Sequence, residues 1–154
     1  MDFFVWIVFK MSFEFVDCHG IIIDMQQKKI FYVMFGILAL VGILNTLGTA
    51  LYLYWTVIWF DMIMHFLGGL FVSLFFFSLF SFFRSGHSYV EKLVLGLVFS
   101  VLVGLVWEYY ELIIGVTDLA EVGYWPDTGM DIVMDTLGAL LGIVGAHKIE
   151  SKNV

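Results

Sequence analysis

Long runs of apolar residues, separated by short polar segments, make up most of the chain. The longest stretch without a charged residue covers positions 30–60 and contains 31 residues. A helix that crosses a membrane needs about 20 predominantly apolar residues. This stretch therefore predicts one span, at residues 30–53, followed by a short aromatic turn. The same criterion predicts three further spans, at residues 60–83, 93–115 and 128–147.

The continuity of these runs predicts the fold class. A transmembrane β-barrel would alternate apolar and polar residues in segments of about ten, and the runs do not alternate. We therefore predict an all-α, polytopic membrane four-helix bundle over residues 25–147, with a short cytoplasmic tail at 148–154. Pro126 lies just before the fourth predicted span, where Asp127 or Thr128 is a suitable N-cap.

Residues 1–24 differ from the rest of the chain. Their apolar stretch, at positions 3–9, is too short to span, and no small-residue cleavage site follows it as in a signal peptide. Two interpretations remain open. The segment lies in the membrane interface, or translation starts at Met25. We assign no function to this segment.

Composition supports a membrane protein and narrows its function. Hydrophobic residues make up 62% of the chain and charged residues 14%, against about 45–50% and about 25% in soluble domains. A soluble domain is therefore excluded, and the aromatic content of 19% excludes a disordered chain. A single cysteine excludes a disulfide framework, and the absence of a basic patch argues against nucleic-acid binding.

The basic residues predict an orientation. In the four-span topology all of them fall on one side, which the positive-inside rule assigns to the cytoplasm. They are Lys28, Lys29, Arg84, Lys92, Lys148 and Lys152, with Lys10 if residues 1–24 do not cross. We therefore expect a multi-pass plasma-membrane protein with both termini cytoplasmic. The opposite boundary has the acids Asp118, Glu121 and Asp127 and a predicted aromatic belt of Trp55, Trp59, Trp107, Trp125, Tyr52, Tyr54, Tyr109, Tyr110 and Tyr124.

Three pairs of ionisable residues lie in the predicted outer halves of spans two, three and four. The pairs are Asp61 with His65, Glu108 with Glu111, and Asp131 with Asp135. A spacing of three or four places each pair on one helix face. Each pair continues a line of small residues, which is typical of helix contacts in membranes, so we expect all six side chains to face the bundle interior. Span one has only a weaker polar stripe, at Gly42, Asn45, Thr49 and Tyr52.

A short internal repeat links two of these pairs. Residues 61–70 align without gaps on residues 131–140, with five of ten positions identical. The alignment is compatible with two parallel helical-hairpin repeats. It would place Asp61 opposite Asp131 and His65 opposite Asp135.

Five carboxylates cannot all be ionised together at low dielectric, so a proton, a metal ion or a cationic ligand is expected beside them. Pairs of histidine and carboxylate on facing helices build divalent metal sites in four-helix bundles, and this ligand set suits Mn²⁺, Fe²⁺, Mg²⁺ or Zn²⁺. The alternatives are a proton relay in a carrier, which with four spans would require a homo-oligomer, and purely structural roles. In the structural interpretation, Asp61 and Asp131 are N-caps and His65 is a hydrogen-bonded interior residue.

The motifs Asp61-xxx-His65-xx-Gly-Gly, Glu108-xx-Glu111 and Asp131-xxx-Asp135-xx-Gly-Ala resemble those of the VanZ-like membrane proteins, and still more those of the related YjdF-type membrane proteins. The resemblance covers residues 30–147 and implies that these residues form one site. It also implies a link to glycopeptide resistance, although Asp135 stands where VanZ-like members usually have Asn.

The leading functional hypothesis is an acidic, extracytoplasmic-side site that binds a divalent metal. We expect it to act on or recognise a lipid or cell-wall-linked molecule, within the lipid bilayer. Whether the protein is an enzyme stays open at this point. The alternatives are a non-enzymatic proton-coupled carrier and a structural membrane protein.

Overall fold

A computed structural model describes residues 25–83, 88–120 and 122–151 of the chain. The predicted N-terminal segment, Arg84, Glu121 and Lys152 lie outside the described residues. The helices are α1 (Met25–Ala50), α2 (Leu53–Thr56), α3 (Phe60–Phe83), α4 (Tyr89–Ile114) and α5 (Tyr124–Glu150). All except α2 are long and apolar enough to cross a membrane, and the described residues contain no strand. The predicted all-α, four-helix membrane bundle is confirmed.

The helix boundaries follow local capping signals. Helix α3 has the predicted bounds, whereas α4 begins before residue 93 because Ser88 and Glu91 form a capping box. The Ser88 hydroxyl accepts from the Glu91 N–H at 3.2 Å, and the Glu91 carboxylate accepts from the Ser88 N–H at 2.8 Å. The helix ends at Gly115, whose φ of 73° is the left-handed conformation that glycine favours at helix C-termini.

The start of α5 differs from the prediction. Its N-cap is Gly123, with a φ of 115°, and neither Asp127 nor Thr128 caps the helix. Pro126 lies inside the first turn, where its missing N–H costs no intrahelical hydrogen bond. The prediction was wrong because it treated this proline as a residue that precedes the helix.

Helices α3 and α5 form the most extensively packed pair of the bundle. They run parallel, because residues later in α5 contact residues later in α3. A Cβ atom on Gly138 would lie 2.0 Å from the Phe66 carbonyl oxygen, so the two backbones touch there. One turn further along both helices, a Cβ on Gly142 would lie 2.9 Å from the Leu70 carbonyl oxygen. Gly138 and Gly142 continue the line of small residues from Asp131 and Asp135, and their close approach to α3 confirms that this line marks a helix contact. The parallel contact also agrees with the internal repeat. Gly145, three residues after Gly142, has open space at its Cβ position.

Helix α4 packs on this pair through one face, on which every fourth residue is buried. That face consists of Lys92, Gly96, Ser100, Gly104 and Glu108. At one end of the bundle, buried Lys92 donates to Ser81 Oγ and to both oxygens of Glu150, each at 2.9 Å. We call this the lysine end, and the opposite end, with Asp61, Glu108 and Asp131, the carboxylate end.

Helix α1 packs through apolar residues rather than through its predicted polar stripe. Ile30, Met34 and Leu38 are buried in a core cluster that includes Phe71 and Phe77 of α3. The stripe residues Thr49 and Tyr52 are exposed. Helix α1 therefore supports the bundle nearer the lysine end, while α3, α4 and α5 carry the ionisable pairs.

Candidate functional site

Three helices bring ionisable side chains together at the carboxylate end. Asp61 and His65 occupy the first two turns of α3, and Glu108 lies in the last third of α4. Asp131 and Asp135 lie in the third and fourth turns of α5, deeper than predicted because that helix starts at Tyr124. Asp131 therefore cannot be an N-cap. The exposed fraction is 5% or less for His65, Glu108, Asp131 and Asp135.

Asp61, His65 and Asp131 form the tightest group. Each offers one ligand atom, and these atoms all lie within 4.8 Å of one another. Two ligands about 2.0–2.2 Å from one ion are at most about 4.4 Å apart. Small side-chain adjustments would therefore bring all three residues onto a single ion. Their burial differs, since Asp61 is half-buried whereas the other two are buried.

His65 lies between two carboxylates from different helices. Its Nδ1 is 3.3 Å from Asp135 Oδ2, a hydrogen bond that brings together the pair predicted from the internal repeat. Its Nε2 is 3.6 Å from Glu108 Oε1, which is too long for a hydrogen bond. The other oxygen of Glu108, Oε2, accepts from Thr128 Oγ1 at 2.8 Å. The ring is thus held on one side and faces an acid on the other.

Three buried polar atoms of this group have no hydrogen-bond partner among the described residues. They are His65 Nε2, Glu108 Oε1 and Asp131 Oδ1. Buried side-chain polar atoms are paired in the large majority of cases. His65 Nε2 and Glu108 Oε1 face each other at 3.6 Å, so these two atoms are available to one ligand, and Asp131 Oδ1 leaves a second carboxylate oxygen of the site unpaired.

Asp135 is held by groups that the sequence analysis did not recognise as part of a site. Its carbonyl oxygen accepts from Ser100 Oγ at 3.3 Å. A Cβ on Gly104 would lie 2.1 Å from Asp135 Oδ2, so this glycine leaves room for the carboxylate. Both residues belong to the small-residue line on span three, and that spacing was the available signal. The sequence contained no such signal for Thr128, whose hydroxyl donates a hydrogen bond to Glu108.

Glu111 does not belong to the three-residue group of Asp61, His65 and Asp131. It is half-buried, and its Oε1 accepts from Trp107 Nε1, one turn earlier on the same helix, at 3.0 Å. Its described hydrogen bond is to Trp107 and not to a residue of the three-residue group, so its role as a metal ligand stays a prediction.

Tyr54 of α2 is a neighbour of the site that the sequence analysis placed in the aromatic belt. It is half-buried, and its hydroxyl donates to Asn45 Oδ1 at 2.9 Å. Burial, followed by the negative charges of Asp61 and Glu111, raises the pKa of Tyr54 to about 12.

Other residues of the predicted aromatic belt differ in exposure. Tyr124 is buried. Four tryptophans of the belt are exposed at the carboxylate end: Trp55, Trp59, Trp107 and Trp125.

Fold and site together define a small multi-pass membrane protein with a buried, acidic, histidine-containing cluster at one end of its bundle. A family model described as "Predicted membrane protein (DUF2238)" matches residues 6–151, and the chain belongs to that family. No curated protein and no solved structure is significantly similar to the chain.

Proposed function

We propose that the carboxylate end binds a divalent metal ion through Asp61, His65 and Asp131. The observation that carries this proposal is the convergence of their ligand atoms within 4.8 Å, with His65 Nε2 and Asp131 Oδ1 buried and unpartnered among the described residues. Two carboxylates and a neutral imidazole offset the charge of a divalent cation, which reduces the cost of burying the acids. Glu108 Oε1, 3.6 Å from His65 Nε2, is a further candidate oxygen ligand.

The donor set narrows the choice of ion. Carboxylate oxygens suit Mg²⁺ and Mn²⁺, while an imidazole favours Fe²⁺ and Zn²⁺, so a mixed set suits Mn²⁺, Fe²⁺ or Zn²⁺ best and Mg²⁺ least. Three protein ligands leave positions open for water or substrate, as in catalytic metal sites. A metal held there would polarise a substrate oxygen or activate water.

The proposed orientation places this site in the outer half of the plasma membrane, with both termini cytoplasmic. Its support is the distribution of basic residues in the sequence. The exposed tryptophans at the carboxylate end would then lie at headgroup depth. The proposed substrate is a lipid or a cell-wall-linked molecule that reaches the site from the outer leaflet. The resemblance to VanZ-like and YjdF-type proteins supports a role in the envelope.

A proton-coupled carrier is the second candidate, and a specific geometry favours it. Asp135, His65, Glu108 and Thr128 form a continuous series of polar contacts, at 3.3, 3.6 and 2.8 Å. Series of this kind in membrane spans commonly relay protons. A carrier would show a flux that depends on a pH gradient in proteoliposomes and is lost in the His65→Ala variant.

Metal binding by the full-length protein in detergent tests the leading proposal. Protein stripped with a chelator is titrated calorimetrically with Mn²⁺, Zn²⁺ and Mg²⁺, and the bound metal is counted by elemental analysis. We expect one ion per chain, and loss of binding in Asp131→Asn and His65→Ala. Asp127→Asn is the matched control, because this exposed acid lies one turn before Asp131 on the same helix.

Two results would contradict the metal site. One is the absence of stoichiometric metal in the wild type, together with no metal-dependent shift in thermal unfolding. The other is a loss of binding in Asp127→Asn as large as that in Asp131→Asn, which would indicate general attraction of cations to an acidic surface.

A further inference from the structure

We propose that Asp135 is a positioning residue, which fixes the His65 ring so that Nε2 is the nitrogen presented to the metal. This inference rests on the proposed metal site. It separates Asp135 from Asp61 and Asp131, with which the sequence alone grouped it as a ligand.

The contacts of His65 define the role of each ring nitrogen. When Asp135 is ionised, its carboxylate only accepts hydrogen bonds, so Oδ2, at 3.3 Å from Nδ1, selects the tautomer with the hydrogen on Nδ1. In the neutral ring, Nε2 then carries the lone pair, and Nε2 is the buried ring atom without a partner among the described residues. Histidines that bind metals usually donate their other N–H to a carboxylate or carbonyl in this way.

Asp135, on α5, is held by contacts with both of the other helices of the site. Its carbonyl oxygen receives the Ser100 hydroxyl from α4 at 3.3 Å. The same carbonyl lies against the α3 backbone, since a Cβ on Gly69 would be 2.1 Å from it. On the α4 side, a Cβ on Gly104 would be 2.1 Å from Oδ2. These contacts leave Asp135 little freedom to move.

The carboxylate of Asp135 is placed to orient rather than to ligate. Oδ2 is engaged by His65, and Oδ1 lies on the α3 side, 3.9 Å from the Cβ position of Gly68. Asp61, His65 and Asp131 offer the mutually close ligand atoms, and Asp135 is not among them.

Three variants of the full-length protein, purified in detergent and stripped of metal, test this role. Asp135→Ala removes the acceptor, Gly104→Ala inserts a methyl group where Oδ2 lies, and Asp135→Asn keeps an acceptor oxygen without the charge. We expect the first two to weaken Zn²⁺ or Mn²⁺ binding by about 10- to 100-fold, the usual effect of removing an orienting partner. Asp135→Asn should stay within about threefold of wild type, since it preserves that partner.

Controls separate positioning from folding. Gly145→Ala also adds a methyl group to α5, but no atom lies within 4 Å of the new Cβ, so metal affinity should not change. Thermal unfolding with chelator present shows which variants remain folded. If Asp135→Ala does not fold, the affinity of Gly104→Ala against that of Gly145→Ala decides the question.

The outcomes distinguish this inference from the proposed function. If the wild type binds no metal, the proposed function fails and the positioning role fails with it. If the wild type binds and Asp135→Ala binds equally well, only the positioning role is overturned. Asp135→Asn as weak as Asp135→Ala would also overturn it, because the charge and not the orientation would then matter.

Discussion

His65 Nε2 faces Glu108 Oε1 across 3.6 Å, and neither atom has a hydrogen-bond partner among the described residues. A neutral imidazole nitrogen with a free lone pair and an ionised carboxylate oxygen repel each other. The contact becomes favourable when a proton or a metal ion lies between them. Two ligands of one tetrahedral ion are separated by about 3.4 Å, close to the spacing of this pair.

Glu108→Gln should replace that cation with a neutral donor. The amide oxygen can keep the hydrogen bond from Thr128, while the amide N–H₂ group donates to His65 Nε2. We expect the metal-free variant to be more stable than metal-free wild type by about 1–2 kcal/mol, since unsatisfied buried groups gain a partner. Metal affinity should fall by about tenfold or more. Thermal unfolding with and without metal measures both effects. A variant that is less stable than wild type and binds metal with unchanged affinity would contradict a cation shared by His65 and Glu108.

Gly138→Ala should separate the two central helices. The new Cβ would lie 2.0 Å from the Phe66 carbonyl oxygen, which belongs to helix backbone and cannot rotate away. Overpacking of this kind typically costs about 1–3 kcal/mol. We expect a lower midpoint in thermal unfolding and weaker metal binding, because Asp131 moves away from His65. The control is Gly145→Ala, and equal stability of the two variants would argue against the close α3–α5 contact.

Much of this architecture was predictable from the sequence because spans are long apolar runs and helical spacing fixes which side chains share a face. Spacing does not fix how far one helix slides or rotates against another. The repeat supplied that relationship for His65 and Asp135, and their contact agrees with it. For α4 no such signal existed, so the sequence grouped Glu108 and Glu111 as one pair of ligands although only Glu108 faces His65. Thr128 was missed because a side chain from a neighbouring helix completes the contact.

Lys92→Met should destabilise the protein by removing the ion pair at the lysine end of the bundle. The ammonium group donates three hydrogen bonds and lies 4.7 Å from the centre of the Phe77 ring. Its loss leaves Glu150 without its cation, and we expect a destabilisation of about 1–3 kcal/mol, below that of a fully buried pair because Glu150 is partly exposed. Adding Glu150→Gln to this variant should recover part of the lost stability, because no unpaired carboxylate then remains there. Metal affinity should stay unchanged, since the site lies at the opposite end, and Lys148→Met at an exposed position is the control.

Tyr54 should make stability depend on alkaline pH. Its pKa rises from 10.0 to about 12 in the folded protein, so the folded state keeps the phenol proton where the unfolded state has lost it. The unfolded state therefore binds fewer protons, and stability falls as the pH increases from about 10 through about 12. Phenolate absorbance should show one tyrosine titrating near pH 12 that disappears in Tyr54→Phe. Asp61→Asn should lower that pKa, and an unchanged profile in both variants would contradict the assignment.

The orientation of the bundle can be tested with cysteines placed at its two ends. In a Cys18→Ser background, Asp118→Cys lies in an exposed loop at the carboxylate end, and Lys148→Cys lies on an exposed position near the lysine end. A maleimide that cannot cross membranes should label the first in intact cells and the second only after permeabilisation. This follows because the basic residues are retained in the cytoplasm. Labelling in the reverse pattern would place the acidic site on the cytoplasmic side, where substrates of the cell envelope do not reach it.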